Sequence, residues 1–185
     1  MFDKEKRKKS NIIDWIKAIL IALVLVFLVR TFLFEPYIVQ GESMKPTLFN
    51  SERLFVNKFV KYTGDFKRGD IVVLNGEEKK THYVKRLIGL PGDTIEMKND
   101  NLFVNGKRFN EEYLKENKKD AHDSDLNLTG DFGPVKVPKD KYFVMGDNRQ
   151  NSMDSRNGLG LFNKKDIVGV EELVFFPLDR IRHAK

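Results

Sequence analysis

From Ile12 to Phe34 the chain is almost wholly apolar, and Ala18 to Val29 contains no polar residue at all. As a helix, such a run spans roughly 34 Å, against a bilayer hydrocarbon core of about 30 Å. A buried core helix is rarely this long and this uniformly apolar, and a removable leader would end in small residues. Here the chain continues Glu35-Pro36-Tyr37-Ile38-Val39-Gln40. Residues 12–34 therefore read as a retained transmembrane helix. Asp14 and Lys17 stand one turn apart near one end, where they can pair, and Arg30 near the other can reach the headgroups. The basic cluster in residues 1–11 predicts a cytoplasmic N-terminus, with residues 35–185 on the far side of the cell membrane.

The net charge of +6 raises the question of a nucleic-acid partner. Residues 1–35 hold seven basic and four acidic groups, which leaves 26 basic against 23 acidic in the rest of the chain. That balance belongs to an ordinary solvated surface and argues against nucleic acid. The absence of cysteine excludes disulfides, a thiol nucleophile and Cys-based zinc sites. His82, His122 and His183 are far apart in sequence, so neither a metal nor any other cofactor is expected. A length of 185 residues suits one domain plus an attachment.

Beyond Pro36, short β-branched and aromatic runs alternate with Gly, Asn, Asp and Pro, which reads as a mainly β domain. Strands are expected at Tyr37–Gln40, Leu54–Val60, Ile71–Leu74, His82–Leu90, Thr94–Met97, Tyr142–Met145 and Val168–Phe175. Asn105-Gly106, between Leu102 and Phe109, is a two-residue hairpin signal. The stretch near 111–131 is polar and charged, with weak periodicity, and reads as a surface insertion or flexible excursion.

Three segments place reactive side chains beside backbone-constraining residues. The first is Gly41-Glu42-Ser43-Met44-Lys45-Pro46-Thr47, which is compatible with a structural turn or with a serine nucleophile. In the second, Tyr83-Val84-Lys85-Arg86-Leu87-Ile88-Gly89-Leu90-Pro91-Gly92-Asp93, strand alternation sends Lys85 to one face with Leu87 and Gly89. An inward lysine loses its charge easily and can serve as a base, whereas an edge-strand lysine guards against aggregation. The third, Gly146-Asp147-Asn148-Arg149-Gln150-Asn151-Ser152-Met153-Asp154-Ser155-Arg156, is rich in side chains that form fixed pairs.

These three segments, in this order after one anchor, closely resemble bacterial type I signal peptidases, and the short length is similar to the Gram-positive forms. The resemblance implies an antiparallel β-sheet catalytic domain of the signal peptidase/LexA-like kind and a serine endopeptidase that removes signal peptides from exported preproteins. It implies Ser43 as nucleophile and Lys85 as general base. Ser152 matches the serine that orients the lysine, and Asp147, Asp154 and Arg156 match supporting residues. Val39, Met44, Leu48, Tyr83 and Val84 correspond to substrate-pocket positions, and Ala-x-Ala-like cleavage sites are implied. Gly41 is a departure: some members carry there a serine whose hydroxyl assists the oxyanion hole. The hole must then use the Ser43 N–H and another donor. Two rival readings are a self-cleaving regulator of the LexA type, whose members are soluble, and a membrane-tethered binding protein that has lost the chemistry.

Overall fold

Pro36 decides where the N-terminal helix stops, because proline offers no N–H and drives the residue before it out of the α region. The computed structural model describes residues 2–76 and 81–184, with the side chains of 2–11, Leu28 and Phe32 outside that description. Helix α1 runs Phe2–Phe32 and strand β1 follows at Phe34–Ile38. The expected helix through Phe34 is thus shorter at its end, and the expected strand at Tyr37–Gln40 begins earlier. The basic side chains of the 1–11 tail lie outside the described residues. Between Ile12 and Thr31, α1 is long and apolar enough to cross a bilayer and none of that stretch is buried. Asp14 and Lys17 pair on it at 3.8 Å.

Among the described residues eleven strands form two antiparallel sheets, in keeping with the mainly β reading. The remaining strands are β2 Arg53–Asn57, β3 Ile71–Asn75, β4 His82–Gly89, β5 Thr94–Lys98 and β6 Asn101–Val104. They continue with β7 Lys107–Phe109, β8 Phe132–Lys136, β9 Lys141–Met145, β10 Phe162–Asn163 and β11 Ile167–Phe176. The larger sheet has the order β1-β2-β11-β3-β4-β9-β10 and the smaller β7-β6-β5-β8. The Asn105-Gly106 turn joins β6 to β7, with φ of 53° and 75° as a type I′ turn requires.

Two departures from the sequence reading have local causes. Strand β2 stops at Asn57, whose side-chain oxygen accepts the Phe59 N–H at 3.0 Å, and a short helix, α2, takes Val60–Thr63. Strand β8 was hidden by Gly133-Pro134, a pair that punctuates most strands; as the edge of its sheet it pairs only with β5, where a missing N–H is tolerated.

Strand β4 is the fold's main contribution to the site. From His82 to Arg86 it pairs with β3, but β9 pairs only with Arg86, Leu87 and Gly89. Among the described residues the backbone of 82–85 is therefore left without a strand partner on one side. Beside it, Val39, Met44 and Leu48 pack with Leu54, Val56, Ile71, Val73 and Val174 in one buried cluster, which fixes the loop after β1 to the sheet.

The 111–131 stretch is a surface excursion with buried ends. Helix α3, Lys115–His122, has no buried residue, yet Glu111, Leu114, Leu128 and Thr129 are all buried. Asp100 gathers its far end by accepting the Leu128 and Thr129 N–H groups, each at 2.9 Å. The segment is tied down at its ends by polar pairs, which carry no hydrophobic period.

Candidate active site

The loop carrying Ser43 is clamped from three sides. Gly41 opens it at φ 87°, a left-handed conformation that disfavours other side chains although no atom crowds the position. Met44 and Leu48 are buried beneath it. Asn148 then donates its backbone N–H to the Ser43 carbonyl at 3.0 Å and its side-chain amide to the Glu42 carbonyl at 3.1 Å. Thr47 Oγ1 donates to Asp147 Oδ2 at 2.5 Å. The loop carrying the third motif thus holds the main chain of Glu42 and Ser43 in the first.

This docking depends on Gly146. A Cβ there would run into the Ser152 side chain and the Ser43 carbonyl oxygen, so one of them has to shift. Gly146→Ala is expected to displace the Ser43 loop and lower kcat/KM at least about tenfold, since sub-ångström misplacement of a reacting group is costly. A steady-state assay beside a melting curve checks this; unchanged kcat/KM would contradict the close approach.

Lys85 is 3 % exposed, and its side-chain amine makes no ion pair or hydrogen bond among the described residues. With Ser43, Val39, Gly41, Met44, Tyr83 and Val84 it lines one cleft of about 300 Å³. Burial holds its ammonium pKa down at about 8; Asp154 draws it up, Arg156 pushes it down and Asp147 draws it up again. Both carboxylates are tied to guanidinium groups. Arg86 meets Asp147 through Nε at 2.9 Å and Nη2 at 2.6 Å, and Arg156 meets Asp154 through Nε and Nη2, both at 2.8 Å. Burial alone would push the Asp154 carboxyl up, but Arg156, the Gly146 N–H and the Ser152 hydroxyl more than offset it and hold it below its ordinary value. Two anions that would otherwise fix Lys85 as an ammonium are largely neutralised by their partners.

The structure places Ser43 and Lys85 in one cleft and joins Ser152, Asp154 and Arg156 by hydrogen bonds, with Asp147 held by Arg86 and Thr47 and both carboxylates acting on Lys85; three details depart from expectation. Ser152 Oγ donates to Asp154 Oδ2 at 2.8 Å, and no hydrogen bond joins it to Lys85. No hydrogen bond joins Ser43 to Lys85 among the described residues either. Leu48, expected in the pocket, does not line the cleft; it is fully buried and supports Val39 and Met44 from behind. Among the described residues no group of three or more His, Asp or Glu side chains is placed to hold a metal ion.

Sequence reasoning gave no role to Thr47, Arg86, Gly146, Asn148 or Arg149. Each lies inside a quoted motif, and the signal was there in the pairing of Arg with Asp. Glu111 and Tyr113 carried no local signal. Glu111 makes a buried ion pair with Arg149 at 2.5 Å and a second with Lys118 at 3.0 Å. Burial would push its carboxyl up, and the two cations hold it low.

The cleft thus holds a serine hydroxyl and a buried lysine amine on an antiparallel β scaffold, side chains suited to nucleophilic chemistry. Residues 12–176 match the family described as Signal peptidase, peptidase S26. The chain is 99% identical over 185 residues to Signal peptidase I P of Bacillus subtilis subsp. natto, covering 100% of both. It is 61% identical to Signal peptidase I T of Bacillus subtilis (strain 168) over 184 residues, covering 99% of this chain and 95% of that one. A crystal structure of a signal peptidase I from Enterococcus faecalis V583 aligns with TM-score 0.52 and 36% identity, covering 57% of this chain and 96% of that one. The chain belongs to the peptidase S26 family, among the bacterial type I signal peptidases, and is a serine peptidase.

Proposed function

We propose that this protein is a membrane-bound endopeptidase that cuts signal peptides from exported preproteins at the outer face of the cytoplasmic membrane, with Ser43 as nucleophile and Lys85 as general base. The observation that carries this is Lys85 itself, buried, its amine unpaired among the described residues and lining the same cleft as Ser43. A lysine with pKa about 8 is neutral in about one molecule in ten at pH 7, against about one in several thousand for an unperturbed side chain.

The neutral amine takes the Ser43 proton as Oγ adds to the scissile carbonyl. The Lys85 ammonium then gives that proton to the departing amine, leaving an acyl-enzyme on Ser43. Water, deprotonated by the same amine, hydrolyses the ester, and the proton returns to Ser43 as the acid leaves. Among the described residues the Ser43 backbone N–H has no acceptor, so it is free to stabilise the tetrahedral oxyanion. Gly41 supplies no hydroxyl for this purpose.

The edge of residues 82–85 that has no strand partner among the described residues faces the 36–41 segment across the cleft, a slot in which an extended peptide adds as a strand. The anchor sets the height of the cut. Residues 1–11 are the cytoplasmic tail, the apolar part of α1 crosses the bilayer and the β domain lies outside. Ser43 follows Phe34 by nine residues, which reach about 30 Å when extended, so the site stays near the headgroups where an embedded signal peptide emerges.

The pH dependence tests the base. Cleavage of a preprotein by the full chain in detergent is expected to show a kcat/KM that rises through an apparent pKa of about 8 and levels off above it. A profile flat from acid to alkaline pH would remove Lys85 as the base.

A further inference from the structure

Tyr113 lies outside all three motifs, in the excursion that follows β7, yet it reaches the centre of the network under the site. The Arg86 guanidinium carbon sits 3.9 Å from the centroid of its ring, and that of Arg149 lies 6.0 Å from the same centroid. Its hydroxyl donates to Glu111 Oε1 at 2.9 Å and accepts from Arg149 Nη2 at 3.2 Å. Burial and the Glu111 carboxylate push the phenol's pKa up, so it stays neutral and its ring face keeps the negative quadrupole that attracts a cation.

Arg86 needs that restraint. Its edge donors are engaged with Asp147 and with the Gly69 carbonyl, the latter at 2.7 Å, but a guanidinium edge does not block rotation of a long side chain. On its other side Arg86 opens onto a second cleft, of about 610 Å³, which also presents the carboxylates of Asp70, Glu112, Glu171 and Glu172. Burial pushes Asp70 up, and Glu171 up to about 7, and the Arg86 charge already draws both part of the way down. Glu171 Oε1 is buried with no hydrogen-bond partner among the described residues. Rival anions thus stand ready for Arg86 if it leaves Asp147. The Tyr113 ring covers the guanidinium face and opposes that departure.

We infer that Tyr113 is a positioning residue for the reaction: its ring seats Arg86 on Asp147, and through Asp147 it governs both the Ser43 loop and the balance of charge around Lys85. The first connection is the Thr47 hydroxyl, which donates to the same Asp147 oxygen that Arg86 holds. The second is electrostatic. The charged groups acting on Lys85 are Asp154, Arg156 and Asp147, and of the two carboxylates Asp154 has its own partner in Arg156. An Asp147 left by Arg86 presents an uncompensated negative charge, which favours the Lys85 ammonium and raises the pH at which the base becomes available. The inference rests on the reading of Ser43 and Lys85 as nucleophile and base.

The test compares full-length wild type, Tyr113→Phe, Tyr113→Leu and Tyr113→Met in detergent micelles, with kcat/KM for one preprotein measured from about pH 6 to about pH 10. Melting temperatures identify which variants are folded, and Met serves in place of Leu if Leu is not. Loss of the ring is expected to move the rising limb up by about one pH unit, a loss of about tenfold near neutrality that recovers at alkaline pH. Phe keeps the ring and is expected to keep the wild-type limb. Three results would overturn the inference: a limb that stays put in Leu and Met, a loss equal at every pH, or a Phe variant shifted as far as Leu. Failure of both Leu and Met to fold makes the ring a structural element only and also overturns it. A Lys85→Ala control separates the two readings: activity in that variant sinks the base itself, whereas an inactive control with silent Tyr113 variants sinks only the role given to Tyr113.

Discussion

Ser43→Ala and Lys85→Ala are each expected to lower kcat/KM for preprotein cleavage about 10⁴-fold or more, with the double variant no worse than either single one. Nucleophile and base act as a unit, so removing one leaves the other nothing to do. The same lysine should also lower the protein's stability. Its folded-state pKa of about 8 lies below the ordinary value of 10.5, so over that interval the unfolded chain binds the proton more tightly. Below pH 8 both states are protonated and the folded state carries the whole penalty, about 3 kcal/mol. Between pH 8 and 10.5 the folded state has released the proton while the unfolded state retains it, and wild-type stability rises with pH. Lys85→Met fills similar space without a charge. It is therefore expected to be inactive yet about 2 to 3 kcal/mol more stable than wild type near pH 7, with the gap closing as pH rises. Urea denaturation at several pH values reads both the size and the trend. A gap of zero, or one that ignores pH, would mean the amine is not a buried ionisable group.

The sequence exposed this site to the extent that its chemistry is written in local backbone. Lys85 could be placed inward because a strand alternates faces, and Leu87 and Gly89 fix which face is apolar. Asn105-Gly106 told of its hairpin because φ is positive at both residues and few other pairs adopt that conformation. The third motif advertised fixed pairs because Asp147, Arg149, Asp154 and Arg156 crowd into one loop, and two of its carboxylates do end on arginines. The details that were not legible are those set by residues distant in sequence. Whether Ser152 faces Asp154 or Lys85 depends on a loop packing against the Ser43 carbonyl, and no spacing rule encodes it. Leu48 sits in a strand-flanking position that alignment assigns to the pocket, but the buried cluster with Leu54 and Val174 draws it beneath the cleft. The 111–131 stretch lacked a period because its attachment is polar: Glu111 to Arg149, Tyr113 to Arg86, and Asp100 to two backbone amides. Hydrophobic patterning reports burial of apolar faces and is blind to a segment held by buried ion pairs.

The second large effect is expected at Arg86, beside the proposed base on β4. Arg86 is 2 % exposed and its partner Asp147 is fully buried, so the pair has already lost its hydration on both sides. Arg86→Leu leaves the Asp147 carboxylate with the Thr47 hydroxyl and little else, and strips the Gly69 carbonyl of its donor. Removing one partner of such a pair costs about 3 to 5 kcal/mol, because the orphaned charge stays buried. Replacing both partners is different in kind: Arg86→Leu with Asp147→Leu exchanges a desolvated ion pair for apolar packing and is expected to recover most of the lost stability. Activity should not follow. With Asp147 gone, Thr47 has lost the acceptor that ties down the Ser43 loop, so kcat/KM is expected to remain at least about tenfold below wild type in the double variant. Urea midpoints and cleavage rates for the two singles and the double decide the matter. Recovery of both stability and activity in the double variant would show that the pair merely fills space, while recovery of stability alone identifies Arg86 and Asp147 as the fixture that aligns the nucleophile loop against the strand carrying the base.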